Sequence, residues 1–448
     1  MVHIDNLGTK HRKRNSIALD SIMDSSKFKK RDLPATKRPI GISVLDAARE
    51  RISKAFDICE RVYVSFSAGK DSTVMLHLVA EEAIKRGRRF TVMLVDLEAQ
   101  YELTIDFAEK MKERYSHISD WHWVCLPIAL RNAVSTFEPK WKCWEAGRES
   151  DWVRQPPSHA VTEHYPFSWD GMEFEEFVPL FGEWCSGGER TACFVGIRTD
   201  ESLNRFRTIA SDKKERIDGL CYTTKVTQNV YNFYPIYDWS TEDIWVYHAK
   251  HPGNAHNPLY DMMHKAGLSI HQQRICQPYG DDQRRGLWLY QLIEPQTWGR
   301  VVARVNGANS GALYVKDSGN INGYGKITLP AGHTWRSFSE LLLETMPQKT
   351  REHFRAKIDV HRKWWMDRGY DDGIPDEADS VLENKRKVPS WRRVAKALLR
   401  NDYWCKGLGF SQHRSGSYDR YLQMMENRRK KAEWDIEARE NGGQRQLF

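Results

Sequence analysis

From residue 44 onward the apolar positions follow two rhythms in turn. Leu45, Ala48, Ile52, Ala55, Phe56 and Cys59 recur at helical spacing, which predicts an amphipathic helix from Val44 to Arg61. Val62-Tyr63-Val64 is then an uninterrupted apolar run, read as a strand, and Val74, Leu76, Leu78 and Val79 mark a second helix from Thr73 to Ala83. After the turn at Gly87, strands are predicted at Phe90–Leu97 and Trp121–Pro127, with a helix from Tyr101 to Tyr115 between them. Strands alternating with helices at this interval imply an α/β fold built on a doubly wound parallel sheet. Residues 130–190 break the rhythm with Trp141, Trp144, Trp152, Trp169 and Trp184, and read as an insertion that covers or shapes a cleft, its tryptophans used for packing.

The first strand runs into Ser65-Phe66-Ser67-Ala68-Gly69-Lys70-Asp71-Ser72. Small residues delivered by a strand to a helix N-terminus make an anion cradle, because amide N–H groups point outward and the helix dipole favours negative charge. Lys70 adds a full positive charge, Gly69 permits close backbone approach, and Ser67 and Ser72 offer hydroxyl donors. The spacing does not fit the Walker loop, which needs two glycines five positions apart before Lys-Ser/Thr. It resembles the PP-loop, Ser-x-Gly-Lys-Asp-Ser, of the ATP pyrophosphatase and PAPS reductase superfamily.

Three further segments carry the same resemblance in the usual order. Gly196-Ile197-Arg198-Thr199-Asp200-Glu201-Ser202-Leu203-Asn204-Arg205 follows an apolar strand and is similar to the second signature of the PAPS-reductase-like family. Tyr234 to Trp245 resembles its Pro-x-x-x-Trp-Thr-x-x-Asp-Val-Trp segment, and Asn257-Pro258-Leu259-Tyr260 matches the Asn-Pro-Leu-Tyr that follows. The resemblance covers about residues 45–275 and implies a three-layer α/β/α, HUP-like sheet of the adenine nucleotide alpha hydrolase kind. The polar segment from Arg274 to Arg285 is similar to the C-terminal part of bacterial and phage proteins of this family that carry an attached domain of unknown function.

On that resemblance the nucleotide site comprises Ser65, Ser67, Ala68, Gly69, Lys70, Asp71, Ser72, Asp96, Glu98, Gly196, Arg198, Asp200, Glu201, Ser202 and Arg205. Lys70, Asp71 and Arg198 are the expected catalytic set, with Asp71 a Mg²⁺ ligand and Asp96 and Glu98 on the base or ribose edge. Arg198 and Arg205 are expected to clamp phosphate or sulfate through forked hydrogen bonds. The Gly-Lys-Asp loop is most like that of the ATP-using subunit of bacterial ATP sulfurylase, and so favours ATP with Mg²⁺ over PAPS. The expected reaction is cleavage between the α and β phosphates with adenylation of an acceptor, in sulfur transfer or nucleic-acid modification. Two alternatives stand beside it: a PAPS reductase using a cysteine thiol, and a nucleotide-sensing regulatory or DNA-associated protein without turnover. The chain ends Gln444-Arg445-Gln446-Leu447-Phe448 and so departs from the Glu-Cys-Gly-hydrophobic-His tail of assimilatory reductases, which leaves Cys185 and Cys276 as candidate thiols.

Length and charge add the outer parts. The 448 residues divide into a basic arm (1–43), a nucleotide-binding domain (44–270) and a mixed, mainly helical C-terminal region (271–448). Residues 1–40 hold ten Lys/Arg against four Asp, and 385–400 hold seven bases and no acid, so nucleic acid is a candidate partner through both, with a protein partner a further candidate. In the C-terminal region helices are predicted at 349–366, 391–400 and 418–439, around an acidic loop at 371–379, with a small α+β unit over 271–345. Eight scattered cysteines without a Cys-x-x-Cys pair suit a reducing cytoplasm, and no run approaches the ~18 apolar residues of a membrane span.

Overall fold

The computed structural model describes residues 41–135, 137–210, 214–277, 279–280, 286–307 and 327–410, without the side chains of 203 and 204. The arm 1–40, the turn-rich 308–326 and the helix expected at 418–439 lie outside the described residues.

Helix α1 (Val44–Ile58) begins where the Ser43 hydroxyl accepts the Asp46 amide at 3.1 Å, and it buries Ala48, Ile52, Ala55 and Phe56. Strand β1 (Arg61–Phe66) leads through Ser67–Gly69 into α2 (Lys70–Arg86), which stops at Gly87 in the left-handed region (φ 61°). Strand β2 (Phe90–Val95), α3 (Glu102–Tyr115) and β3 (Ser119–Val124) complete the first half. The strand bounds lie within three residues of those predicted.

The insertion forms a small sheet of β4 (Ile128–Arg131), β5 (Lys140–Lys142) and β6 (Met172–Glu173), followed by α4 (Phe174–Ser186). Of its tryptophans, Trp141 and Trp144 are buried and Trp184 is exposed, and the Trp144 indole donates to the Asp96 carbonyl at 2.7 Å. The chain then returns to the main sheet through β7 (Thr191–Val195), α5 (Leu203–Ala210), β8 (Thr223–Lys225) and β9 (Val230–Phe233).

The main sheet has the order β3-β2-β1-β7-β9-β8 and is parallel except for the β8–β9 pair. It winds outward from β1 in one direction through β2 and β3, and in the other through β7 and β9. The strand order therefore reverses between β1 and β7, and ligands bind outside the carboxyl ends of strands at such a switch point. Helices α6 (Thr241–Lys250) and α7 (Leu259–Lys265) carry the third and fourth signatures.

Beyond residue 270 the described chain is helical, and no strand of the expected α+β unit occurs among the described residues of 271–345. Helices α8 (Leu287–Ile293) and α9 (Pro295–Arg304) join the main core through Leu289, Tyr290 and Val301. Helices α10 (Trp335–Glu344), α11 (Gln348–Met366), α12 (Ser380–Asn384) and α13 (Trp391–Leu399) close around a second core that includes Leu343, Phe354, Ile358, Trp391, Val394 and Leu398. No described helix is long and apolar enough to cross a membrane.

Candidate functional site

A helix begins with four amides that have no intrahelical acceptor. At α2 those amides open towards the switch point, because the N-cap is Gly69, which supplies no side-chain cap. Lys70, Asp71 and Ser72 form the first turn, three residues earlier than the apolar spacing places it. The loop before it is held from several sides. Ala68 adopts φ 56°, and its carbonyl accepts the Asn257 side-chain amide at 3.0 Å. The same amide reaches Thr104 Oγ1 at 3.1 Å, and Asn257 Oδ1 accepts the Leu259 amide at 2.9 Å. Ser67 and Ser72 hydroxyls meet at 3.0 Å, and the Lys70 amide donates to the Tyr260 hydroxyl at 3.0 Å. The Asn-Pro-Leu-Tyr segment is thus the frame on which the anion loop is built.

Gly196 is required by close approach. A Cβ there would stand 2.9 Å from the Asp71 carbonyl carbon and the Ser72 nitrogen, and 3.0 Å from the Asp71 oxygen. The end of β7 therefore lies directly on the first turn of α2. Gly69 is not under the same demand, since its added Cβ would meet Ser67 Oγ and Tyr260 OH at 3.4 Å.

A cavity of about 670 Å³ opens over this turn. Of the residues expected from sequence, it brings together Ser65, Ser67, Gly69, Lys70, Asp71, Ser72, Gly196, Glu201 and Arg205. Six cations (Lys70, Arg131, Lys140, Arg205, Arg274, Lys406) face four carboxylates (Asp71, Glu173, Glu175, Glu201), so the wall favours an anionic ligand. Lys70 is 5% exposed, and its ammonium lies 3.3 Å from the Gln273 carbonyl and 3.4 Å from Asp71 Oδ2. Burial lowers its pKa, with Arg198 and Arg274 pulling the same way and Asp71 opposing.

Other expected residues are placed elsewhere. Arg198 is 2% exposed, with Nε on Asp71 Oδ1 and Nη1 3.5 Å from the Trp239 carbonyl; it fixes Asp71 and does not line the cavity as a phosphate clamp. Asp71 in turn meets two cations through its two oxygens, Arg198 through Oδ1 and Lys70 through Oδ2. No group of three or more His, Cys, Asp or Glu suited to a metal occurs among the described residues, and both Asp71 oxygens already face cations. Asp96 and Glu98 are fully buried and do not line the cavity. Asp96 accepts from the Trp123 indole at 2.8 Å and pairs with Arg154. Glu98 accepts the Trp144 amide at 2.7 Å, the Val153 amide at 3.1 Å and Arg304 Nε at 2.8 Å. Both carboxylates are engaged in buried pairs and neither lines the cavity. Ser202 caps Arg205 (Oγ to the amide, 3.2 Å), Arg205 pairs with Glu201, and Ala68, Asp200 and Ser202 stay outside the cavity lining.

The two candidate thiols separate. Cys185 lies in α4 against the amino-terminal ends of β1 and β2, lining a different cavity with Arg61, Phe90 and His122. Cys276 lines the cavity over α2 and is half-buried. Cys193 also reaches that cavity, but burial pushes its thiol up to about 12. Residues that sequence reading does not single out are Arg131, Lys140, Glu173, Glu175, Trp404 and Lys406. They come from the insertion and from the C-terminal region, and no local spacing ties them to the loop.

The basic stretch 385–400 is partly spent inside the fold. Glu383 accepts from Ser390 (2.6 Å) and Arg392 (3.0 Å), and Arg393 is buried with Nη2 on the Gly407 carbonyl at 2.8 Å. Lys385, Arg386, Lys387 and Arg400 remain exposed.

Comparison with known proteins gives a consistent set of matches. Residues 61–266 match the phosphoadenosine phosphosulfate reductase domain family, and residues 267–374 and 372–418 match a domain of unknown function, DUF3440. The uncharacterized protein YbdN of Escherichia coli (strain K12) is 42% identical over 405 residues, covering 89% of this chain and 98% of that protein. A phosphoadenosine 5'-phosphosulfate reductase of Xylella fastidiosa (strain M23) is 25% identical over 256 residues, covering 55% of this chain and 90% of that protein. Among solved structures, the phosphate complex of the PAPS reductase from Candida auris aligns with a TM-score of 0.27 and 11% identity, over 52% of this chain and 89% of that one.

Proposed function

Because the chain belongs to the YbdN-like family, in which a phosphoadenosine phosphosulfate reductase domain is joined to DUF3440, we propose that it binds ATP over the first turn of α2. It then cleaves ATP between the α and β phosphates and adenylates an acceptor. The observation that carries this reading is the turn at Gly69, which has no cap from its own N-cap side chain and opens beside Lys70 into a cation-rich cavity at the β1/β7 switch point. An acceptor nucleophile bonds to the α phosphorus, the bond from that phosphorus to the bridging oxygen breaks, and the electron pair leaves with pyrophosphate. Charge that develops on the leaving group falls on the α2 amides and the Lys70 ammonium, which are fixed before reaction and need no reorganisation. Arg198 acts one step removed, holding Asp71 so that Lys70 keeps its place. Tyr260 holds the Lys70 amide in the same way.

ATP labelled separately at the α and γ positions tests the reading. Label from the γ position is expected in pyrophosphate and label from the α position in an adenylated product or AMP. Release of labelled orthophosphate alone would contradict it. One observation favours a second reading, a sulfonucleotide reductase: Cys276 stands in the cavity. On that reading its thiolate attacks the sulfur of PAPS, displacing adenosine 3',5'-bisphosphate and leaving an S-sulfocysteine that a second thiol reduces to sulfite. Mass spectrometry after mixing with PAPS distinguishes the two, with a sulfonate adduct on Cys276 supporting the reductase.

A further inference from the structure

The cavity over α2 is not completed by the nucleotide-binding domain. Its far wall includes Trp404 and Lys406, which belong to the short segment after α13, 131 residues or more beyond the last loop that touches Lys70 (Gln273). That segment is held firmly. Asn401 and Cys405 adopt left-handed backbone (φ 49° and 52°), and the Asp402 carboxylate accepts the Lys406 amide at 3.1 Å and the Gly407 amide at 2.6 Å. Arg131, at the end of β4, donates to the Asn401 carbonyl at 3.1 Å and lies over the Tyr403 ring at 4.7 Å. His353 of α11 stacks on the same tyrosine, 3.9 Å between ring centres and 5° from parallel, and its Nε2 donates to the Tyr403 carbonyl at 2.7 Å. The next residue, Trp404, is thereby presented to the cavity half-buried, with the Lys140 ammonium 5.9 Å from its ring centre.

The charges beside Trp404 are unequal. Lys140 is paired with Glu173. Burial raises the pKa of Glu175, against the pull of Lys406 and Lys140. The Lys406 side chain is exposed, and the carboxylate that feels its charge is Glu175. A flat aromatic face next to an exposed cation recognises a planar ring that bears a phosphate, by stacking on the ring and by charge attraction to the phosphate.

We propose that Trp404 and Lys406 form the acceptor half of the cavity, and that the acceptor is a nucleobase-bearing phosphate, either a free nucleotide or the end of a single strand. The DUF3440 region then selects the acceptor, while the loop at α2 holds the donor. This rests on the adenylation reading above and adds the class of substrate to it.

Full-length protein is titrated calorimetrically with α,β-methylene ATP, and then, with that analogue saturating, with uridine 5'-monophosphate or a single-stranded RNA hexamer. Wild type is expected to take at least one of the two probes. Trp404→Ala weakens that binding by about tenfold or more, while Trp404→Phe stays close to wild type. Lys406→Ala weakens it less and flattens its salt dependence. Trp404→Ala and Trp404→Phe bind the ATP analogue within about twofold of wild type, since Trp404 is not among the side chains that hold the turn of α2. Preference for the hexamer over the monophosphate assigns the strand end; the reverse assigns the free nucleotide. Binding of the analogue with neither probe, equal probe binding by Trp404→Ala, or an equal loss of analogue and probe in Trp404→Ala each overturns the inference while leaving the donor site standing. Failure of wild type to bind the analogue overturns the adenylation reading, and the acceptor assignment with it.

Discussion

Gly196→Ala places one methyl group against main chain that cannot rotate away. The added Cβ would lie 2.9 Å from Asp71 C and Ser72 N and 3.0 Å from Asp71 O, closer than such carbons approach in folded proteins. Both walls are fixed. The end of β7 pairs with β1 at Ser65↔Val195, and the α2 turn is held by Tyr260 and Asn257. Relief therefore requires β7 and the turn to part by roughly half an ångström, an overpacking that costs about 1–3 kcal/mol of stability. The displaced amides are those proposed to hold the triphosphate. Hydrogen bonds to a charged group contribute about 1.5–3 kcal/mol each, and losing the alignment of one lowers affinity by about tenfold to a hundredfold. Urea unfolding followed by far-UV circular dichroism and calorimetry with α,β-methylene ATP read the two effects on one sample. Gly299→Ala is the control: it sits exposed inside α9 with nothing within 4 Å of an added Cβ. It should gain about 0.5–1 kcal/mol from helix propensity and bind the analogue unchanged. A Gly196→Ala protein with wild-type midpoint and wild-type affinity would refute the close approach and the role given to the turn.

Three further outcomes follow from the same geometry. Glu98→Gln leaves the buried Arg304 guanidinium only Glu145, 4.0 Å away, as a counter-charge and should cost about 3 kcal/mol in urea unfolding; a loss of nucleotide affinity at unchanged stability would place Glu98 on the ligand edge. Arg198→Met should lower stability by a comparable amount, because Asp71 stays buried beside Lys70 alone, and Arg198→Lys should recover only part of it. Burial lowers His77, His248 and His361 to about 4 from an ordinary 6.5. The unfolded chain therefore takes up these protons first as pH falls. Their contribution is complete above about pH 6.5 and is lost towards pH 4, at up to ~1.4 kcal/mol per pH unit for each histidine. His361→Asn should remove about a third of that slope, and an unchanged slope would show that His361 is already charged in the fold.

Much of the nucleotide-binding half was readable from local pattern. The period change between Val44 and Trp123 predicts α1, β1, α2, β2, α3 and β3 in order, because apolar runs and helical spacing are both short-range signals. The start of α2 was not readable, since Lys70, Asp71 and Ser72 are polar and their helical state depends on Tyr260 and Ser67, not on apolar spacing. Asp96 and Glu98 looked like ligand groups for the opposite reason. Their partners Arg154 and Arg304 lie far along the chain, so burial and pairing were invisible in sequence. The pairing of Arg198 with Asp71 across the β1/β7 boundary is hidden from sequence in the same manner. The contribution of Trp404 and Lys406 has no sequence signal near the loop, and only the fold brings them to the cavity.

The central claim is that the first turn of α2, with Lys70, holds the triphosphate of an adenine nucleotide. Calorimetric titration of wild type and Lys70→Met with α,β-methylene ATP tests it most directly, with thermal unfolding run beside it to confirm that both proteins are folded. Saturable binding by wild type and a loss of about tenfold or more in Lys70→Met is the expected result. Equal affinity in the two folded proteins, or no heat from wild type with any adenine nucleotide, would contradict it.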